Sequence, residues 1–184
     1  MLHPTDQNPA RRIQRGFTLV ELMIALAVGA ILMTIAVPSF KRLMSKTDVT
    51  ETGNALVGDV ATARTQAANR GQLACIVPVA GAWLKGWQVM VDSDNSGTCG
   101  DGTDTVVREH AALSPEFTMS AERGGTAISQ IDYLSDGSVS GTTADTEVKL
   151  CKKADGEAQR LIVKLRASGS AEARPDHSTT GPNC

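Results

Sequence analysis

Hydrophobic and polar positions divide this chain into three stretches. Residues 1–16 are polar, carry Pro4 and Pro9, and have no apolar period. Residues 17–40 are almost continuously apolar, with Glu21 as their one charge, and as a helix they extend about 36 Å. That is enough to cross a hydrocarbon core of about 30 Å. Beyond it, Phe40, Leu43 and Met44 continue a helical stripe, and Leu56, Val60, Ala63 and Ala67 recur at intervals of four and three residues. The pattern predicts a helix ending near Asn69-Arg70-Gly71, where glycine can take the left-handed capping conformation; Gly53 and Gly58 weaken it. From residue 72 the period changes. Leu73–Val79, Gly86–Asp92, Thr105–His110, Ile128–Leu134, Val148–Lys152 and Leu161–Leu165 are predicted strands, with turns at Ser135-Asp136-Gly137 and Ala154-Asp155-Gly156. The expected fold class is α+β, one long helix whose second half packs on an antiparallel sheet.

Charge sharpens the reading of the apolar run. A carboxylate at the centre of a membrane span costs roughly 2.5–3.5 kcal/mol, so Glu21 requires a partner. Arg11, Arg12 and Arg15 precede the run against a single Asp6, which by the positive-inside rule keeps the N-terminus cytoplasmic and sends the rest of the chain outward. A secretory signal peptide shares the basic start. Its apolar core would not carry Glu21, however, and Val37-Pro38-Ser39 is a poor cleavage site.

The segment RGFTLVELMIALAVGAILMTIAVPSF, residues 15–40, resembles the N-terminus of a type IV prepilin or pseudopilin. The resemblance implies cleavage by a prepilin peptidase between Gly16 and Phe17, N-methylation of Phe17, and a role for Glu21 as the acid that pairs with the N-terminal amine of a neighbouring subunit. It also implies a helix kink at Pro38. The organisation that follows is a leader at 1–16, a transmembrane and assembly helix at 17–40, and a periplasmic globular domain at 41–184. Removing residues 1–16 takes Lys+Arg from 18 to 15 and Asp+Glu from 20 to 19, so the net charge moves from −2 to −4. That balance argues against a generally nucleic-acid-binding surface.

Cys75, Cys99, Cys151 and Cys184 are even in number, form no CxxC pair and have no histidine at metal spacing. In an oxidising compartment they read as two disulfides. Three connectivities are open; Cys75–Cys99 with Cys151–Cys184 is expected because it closes two moderate loops without crossing.

Further along, LVGDVATARTQAANRGQLACIV, GWQVMVDSDNSG, IDYLSDGSV and VKLCKKADGEAQRLIVKLRASG follow in an order that resembles the GspH/FimT group of minor pilins and pseudopilins. The resemblance implies a low-copy subunit that primes or caps a filament. Its expected partners are the prepilin peptidase, other minor and major pilins or pseudopilins, and the inner membrane. A type II secretion pseudopilin and a DNA-binding pilin for natural transformation are the alternatives. Some FimT-like proteins bind DNA through arginines after a glycine in the C-terminal tail. Here Ser170 and Glu172 follow Gly169 where arginines are wanted, which argues against DNA as a partner. The basic residues Lys149, Lys152, Lys153, Lys164, Arg166 and Arg174 are read as a solvated face.

The remaining chemistry is sparse. Asp92, Asp94 and Ser96, ahead of Gly97, match the first half of a calcium loop, but Thr103 stands at the twelfth position with Asp104 just beyond, so a polar turn tied by Cys99 is the expectation. His3, His110 and His177 are scattered and read as solvated; Trp83 and Trp87 read as packing. There is no nucleophile elbow or other catalytic framework. No cofactor, no metal and no enzymatic activity are expected.

Overall fold

A computed structural model describes residues 16–141, 143–154 and 156–177. The leader arginines Arg11, Arg12 and Arg15, and Cys184 in the expected second disulfide, lie outside the described residues. The chain divides between Ser39 and Phe40 into two units.

A single helix, α1, runs Leu19–Arg70 and contains Pro38. In the first unit it has no buried residue. In the second unit Val49, Leu56, Val60, Ala63 and Ala67 are buried. Their spacing of seven, four, three and four keeps them on one face at 3.6 residues per turn. Gly71, at φ 65°, stops the helix as expected, its N–H closing on the Ala67 carbonyl at 2.9 Å. The sequence treats Gly53 as a weak point, but α1 passes through it without a break. A Cβ there would press into the Leu161 side chain, so the missing atom lets helix and sheet approach closely. Phe40, Leu43 and Met44 lie outside the core, 63%, 59% and 48% exposed.

The sheet expectation needs correction in number. Two antiparallel sheets cover the helix face, where one was expected. The first has the order β3-β2-β1-β6, from β1 (Ala74–Pro78), β2 (Trp87–Val91), β3 (Thr105–His110) and β6 (Ile131–Tyr133). The second has the order β5-β4-β7-β8-β9, from β4 (Phe117–Arg123), β5 (Thr126–Ala127), β7 (Thr146–Ala154), β8 (Glu157–Leu165) and β9 (Ala171–Pro175). β4, β5 and β9 are absent from the sequence expectation, and β7 and β8 are each longer than predicted. A continuous register from Thr146↔Leu165 to Ala154↔Glu157 makes β7–β8 a long hairpin. The inner faces meet α1 through Ile76, Val89, Val91, Ile131, Tyr133, Val148, Leu150, Val163 and Leu165, all at most 1% exposed.

Cys75 on β1 and Cys99, in the loop between β2 and β3, form a disulfide with Cα atoms 6.2 Å apart. It closes a 24-residue separation, a size at which removal costs about 3 kcal/mol. Cys99→Ser is therefore expected to lower the unfolding free energy by that amount in a urea titration. An unchanged midpoint would mean that the loop's own hydrogen bonds hold it.

Candidate assembly site

The residues singled out at the N-terminus come together at the start of α1. Thr18 caps the helix: its Oγ1 accepts from the Glu21 N–H at 3.2 Å. This is one half of the capping-box arrangement that Thr18-Leu19-Val20-Glu21 spells out, a signal present in the sequence itself. Thr18 therefore belongs to the site, since it sets the turn on which Glu21 sits. Phe17, 81% exposed, stands just ahead of the cap, and the Glu21 side chain is exposed. The acid lies in the first turn, where the helix N-terminus favours negative charge by about 0.3–1 kcal/mol.

From Phe17 to Val37 every large apolar side chain is half exposed or more, save Val28 at 49%. An apolar surface this continuous does not persist in water; it requires lipid or other helices. Within this apolar segment Thr34 and Ser39 return their hydroxyls to the Ile31 and Ile35 carbonyls at 2.7 and 3.2 Å, so neither needs water. Among the described residues this is the one helix long and apolar enough to cross a membrane.

The globular unit holds the other candidates apart from this segment. In the loop after β2, Asp92 accepts from the Ser96 and Gly97 N–H groups at 3.0 and 2.8 Å. Asp94 accepts from the Ser96 N–H at 3.0 Å and the Thr103 hydroxyl at 2.7 Å. The Thr103 bond, followed by the Ser96 N–H, pulls the Asp94 pKa below the ordinary carboxylate value. The third acid beside Asp92 and Asp94 is Asp104; all three can bring an oxygen within 4.8 Å of one another. Ser96 instead turns its hydroxyl to the Thr98 carbonyl at 3.1 Å. The loop thus satisfies its carboxylates largely from its own backbone.

Trp83 and Trp87 are buried, as packing requires. Trp87 does more. Its Nε1–H donates to Asp59 Oδ2 at 2.8 Å, and Arg108 reaches Asp59 Oδ1 at 3.0 Å. The expectation of a solvated His110 is corrected here: its ring stacks on Trp87 with centroids 3.9 Å apart and planes 9° apart. Asp59, 3% exposed, was not singled out in the sequence. Its position beside Val60 on the buried stripe was the available signal.

Five of the six basic residues named in the C-terminal third face carboxylates. Lys149 pairs with Glu122, Lys164 with Asp145 at 2.9 Å, Arg166 with Glu172 at 3.5 Å and Arg174 with Glu147 at 3.8 Å. Lys152 pairs with Asp48 at 2.6 Å and Glu116 at 3.3 Å, and the Asp48 bond holds its pKa above the ordinary lysine value.

Residues 52–169 match the family described as Type II transport protein GspH, and residues 11–37 match the prokaryotic N-terminal methylation motif. The Type IV major alpha-pilin of Moraxella bovis is 31% identical over 116 residues, 63% of this chain and 67% of that protein. Fimbrial protein Q of the same organism is 42% identical over 52 residues, 28% of this chain and 31% of that one. Among solved structures, the type IV minor pilin FimU of Pseudomonas aeruginosa superposes with a TM-score of 0.53 at 16% identity, over 74% of this chain and 98% of FimU. That likeness carries the fold: a long N-terminal helix followed by antiparallel sheets. With the GspH match covering more than half its length and the methylation motif ahead of it, this chain belongs to the GspH family of the type IV pilin and pseudopilin superfamily.

Proposed function

We propose that the protein is a minor pilin, a structural subunit that primes or caps a type IV pilus after cleavage between Gly16 and Phe17 and methylation of Phe17. The observation that carries this is the helix from Leu19, apolar and without a buried residue through the span, with Glu21 in its first turn. Arg11, Arg12 and Arg15 hold the leader 1–16 in the cytoplasm. Residues 17–40 anchor the subunit in the inner membrane, and residues 41–184 lie in the periplasm, where the Cys75–Cys99 bond forms and persists. Cleavage frees an amine that Glu21 of a neighbouring subunit neutralises when the helices leave lipid for the filament. An ammonium and a carboxylate are each costly alone in hydrocarbon and offset each other when paired. The prepilin peptidase and other pilins are then the partners, and the subunit has no catalytic role.

The intact mass of the membrane-extracted protein tests the processing step. It is expected to begin at Phe17 with one added methyl group, and Gly16→Arg is expected to leave the precursor uncut. A mature chain beginning after Val37 would replace this reading with an ordinary signal peptide.

A second reading, a pseudopilin of a type II secretion system, draws on the GspH match over residues 52–169. Co-purification separates the two by whether pilus or secretion subunits come with the native protein. DNA uptake is disfavoured because Lys149, Lys152, Lys164, Arg166 and Arg174 already face carboxylates. Phosphate contacts would compete with those pairs.

A further inference from the structure

Arg64 on α1 is the one arginine among the described residues of the globular unit with no hydrogen bond or ion pair; the others all have partners. Its side chain is exposed, yet its course is fixed. It lies against two turns, closed by the Gly137 N–H on the Leu134 carbonyl and the Gly169 N–H on the Arg166 carbonyl, each at 2.8 Å. Both glycines have positive φ, 79° and 86°, and a Cβ on either would stand 3.1 Å from Arg64 Nε. A Cβ on Gly169 would also overlap the Gly137 carbonyl, so the turns meet backbone to backbone and form a floor under the side chain. The nearby acids are taken. Asp136, in the first turn, is held by the Ser138 N–H and hydroxyl at 2.8 and 2.6 Å, and Glu172 pairs with Arg166 at 3.5 Å. Tyr133 feels the Arg64 charge, but burial pushes its pKa above the ordinary tyrosine value and keeps it neutral. Arg64 is the one charged residue lining a groove of about 310 Å³ between α1 and the start of β9. Val57, Ala61 and Ala171 give this groove apolar walls, and Thr65 and Ser170 line it with hydroxyls.

We propose that this groove is a docking surface for a neighbouring pilin-type subunit and takes one carboxylate side chain from it, an Asp or Glu held by Arg64 with its methylene stem against Val57, Ala61 and Ala171. The proposal rests on the pilin reading above. Charge selects the partner group. A guanidinium is a planar fork that matches a carboxylate through two parallel bonds, and arginine is among the residues that dominate interface energies. Here packing on the two turns holds the fork before the partner arrives, so little rotamer freedom remains to be lost on binding. The groove has no acid of its own to compete. A nucleic-acid phosphate is the other anion of that shape. It draws its affinity from a track of cations, however, and this groove supplies a single one.

Co-purification of the full chain from membranes, with the bound pilin-type subunits quantified, tests this. Arg64→Gln is expected to lower their yield by roughly 30-fold, the loss that goes with an interface hot spot, while membrane level and melting temperature stay those of the wild type. Arg64→Lys keeps the charge but not the fork, and is expected to recover only a small part of that yield. A photo-cross-linker in place of Thr65 is expected to map to a partner segment that holds an Asp or Glu. Exchanging that acid for arginine, together with Arg64→Glu, is expected to restore the yield. A cross-link confined to a segment without an acid would overturn the groove. Retardation of duplex DNA by the wild type that Arg64→Gln abolishes would assign the guanidinium to phosphate and overturn it as well. The two readings fail differently. A wild-type chain that brings down no pilin-type subunit defeats the pilin reading and the groove together, whereas equal yields from wild type and Arg64→Gln defeat the groove alone.

Discussion

Glu21→Ala is expected to insert into the membrane as well as the wild type or better, and to be lost from filaments. Removing the carboxylate removes roughly 2.5–3.5 kcal/mol of insertion cost, so membrane levels should hold or rise. In the filament the same change leaves a neighbour's N-terminal ammonium buried without its counter-charge. Deleting one partner of a buried pair costs about 3–5 kcal/mol, which corresponds to at least a hundredfold fall in incorporation. The measurement is the ratio of subunit in sheared filaments to subunit in membranes. Glu21→Gln keeps shape and helix propensity while removing the charge, so it should fall on the same side. Wild-type ratios for both variants would mean that Glu21 serves the helix N-terminus through its capping turn and not the assembly step.

Trp87→Ala is expected to be the most damaging single change in the globular unit, at about 4–5 kcal/mol. Trp87 is fully buried, and truncating a buried tryptophan or phenylalanine costs about 3–5 kcal/mol in lost transfer energy and cavity. The loss goes further here. Asp59, itself 3% exposed, would keep only Arg108, whose side chain is 57% exposed, and His110 would lose the ring it stacks on. Against a total stability of about 5–15 kcal/mol, that fraction is large. Trp87→Phe separates the contributions. It keeps an aromatic face for His110 and most of the volume, and loses the Nε1–H bond to a carboxylate, worth about 1.5–3 kcal/mol. Urea unfolding of the two variants in detergent checks the order. If Trp87→Phe were as damaging as Trp87→Ala, the bond to Asp59 would outweigh the packing.

What was legible from residues alone followed from length and strong periodicity. The helix and its stop at Gly71 rest on a long 3.6-residue pattern and a local capping preference, both properties of neighbours in the chain. The N-terminal methylation motif was legible as a resemblance, because Gly16, Phe17 and Glu21 lie within six positions, and the apolar run states its own solvent. β1, β2, β3 and β8 carry enough β-branched and aromatic residues to declare themselves within a residue or a few of their ends. β4 does not. Of Phe117–Arg123 only Phe117 and Ala121 are buried, so the two-residue alternation that marks a strand never appears. β9, Ala171–Pro175, is an edge strand of alanines and charges whose existence depends on the exposed side of β8.

The tertiary structure alone decided what depends on distant partners. The division of the nine strands among the described residues into two sheets is a matter of pairing, such as β1 choosing both β2 and β6, which no local pattern encodes. Gly53 looks like a helix weakness until Leu161, more than a hundred residues on, is seen pressing against it. Asp59 has the composition of a surface carboxylate on a helix. Only the fold brings Trp87 and Arg108 to it, and only there does burying a charge become tolerable, because its oxygens meet an indole N–H and a guanidinium. Local preference and period thus specified the helix and its apolar N-terminal run. Burial, which sums contributions from the whole chain, determined which polar groups the globular unit could afford to enclose.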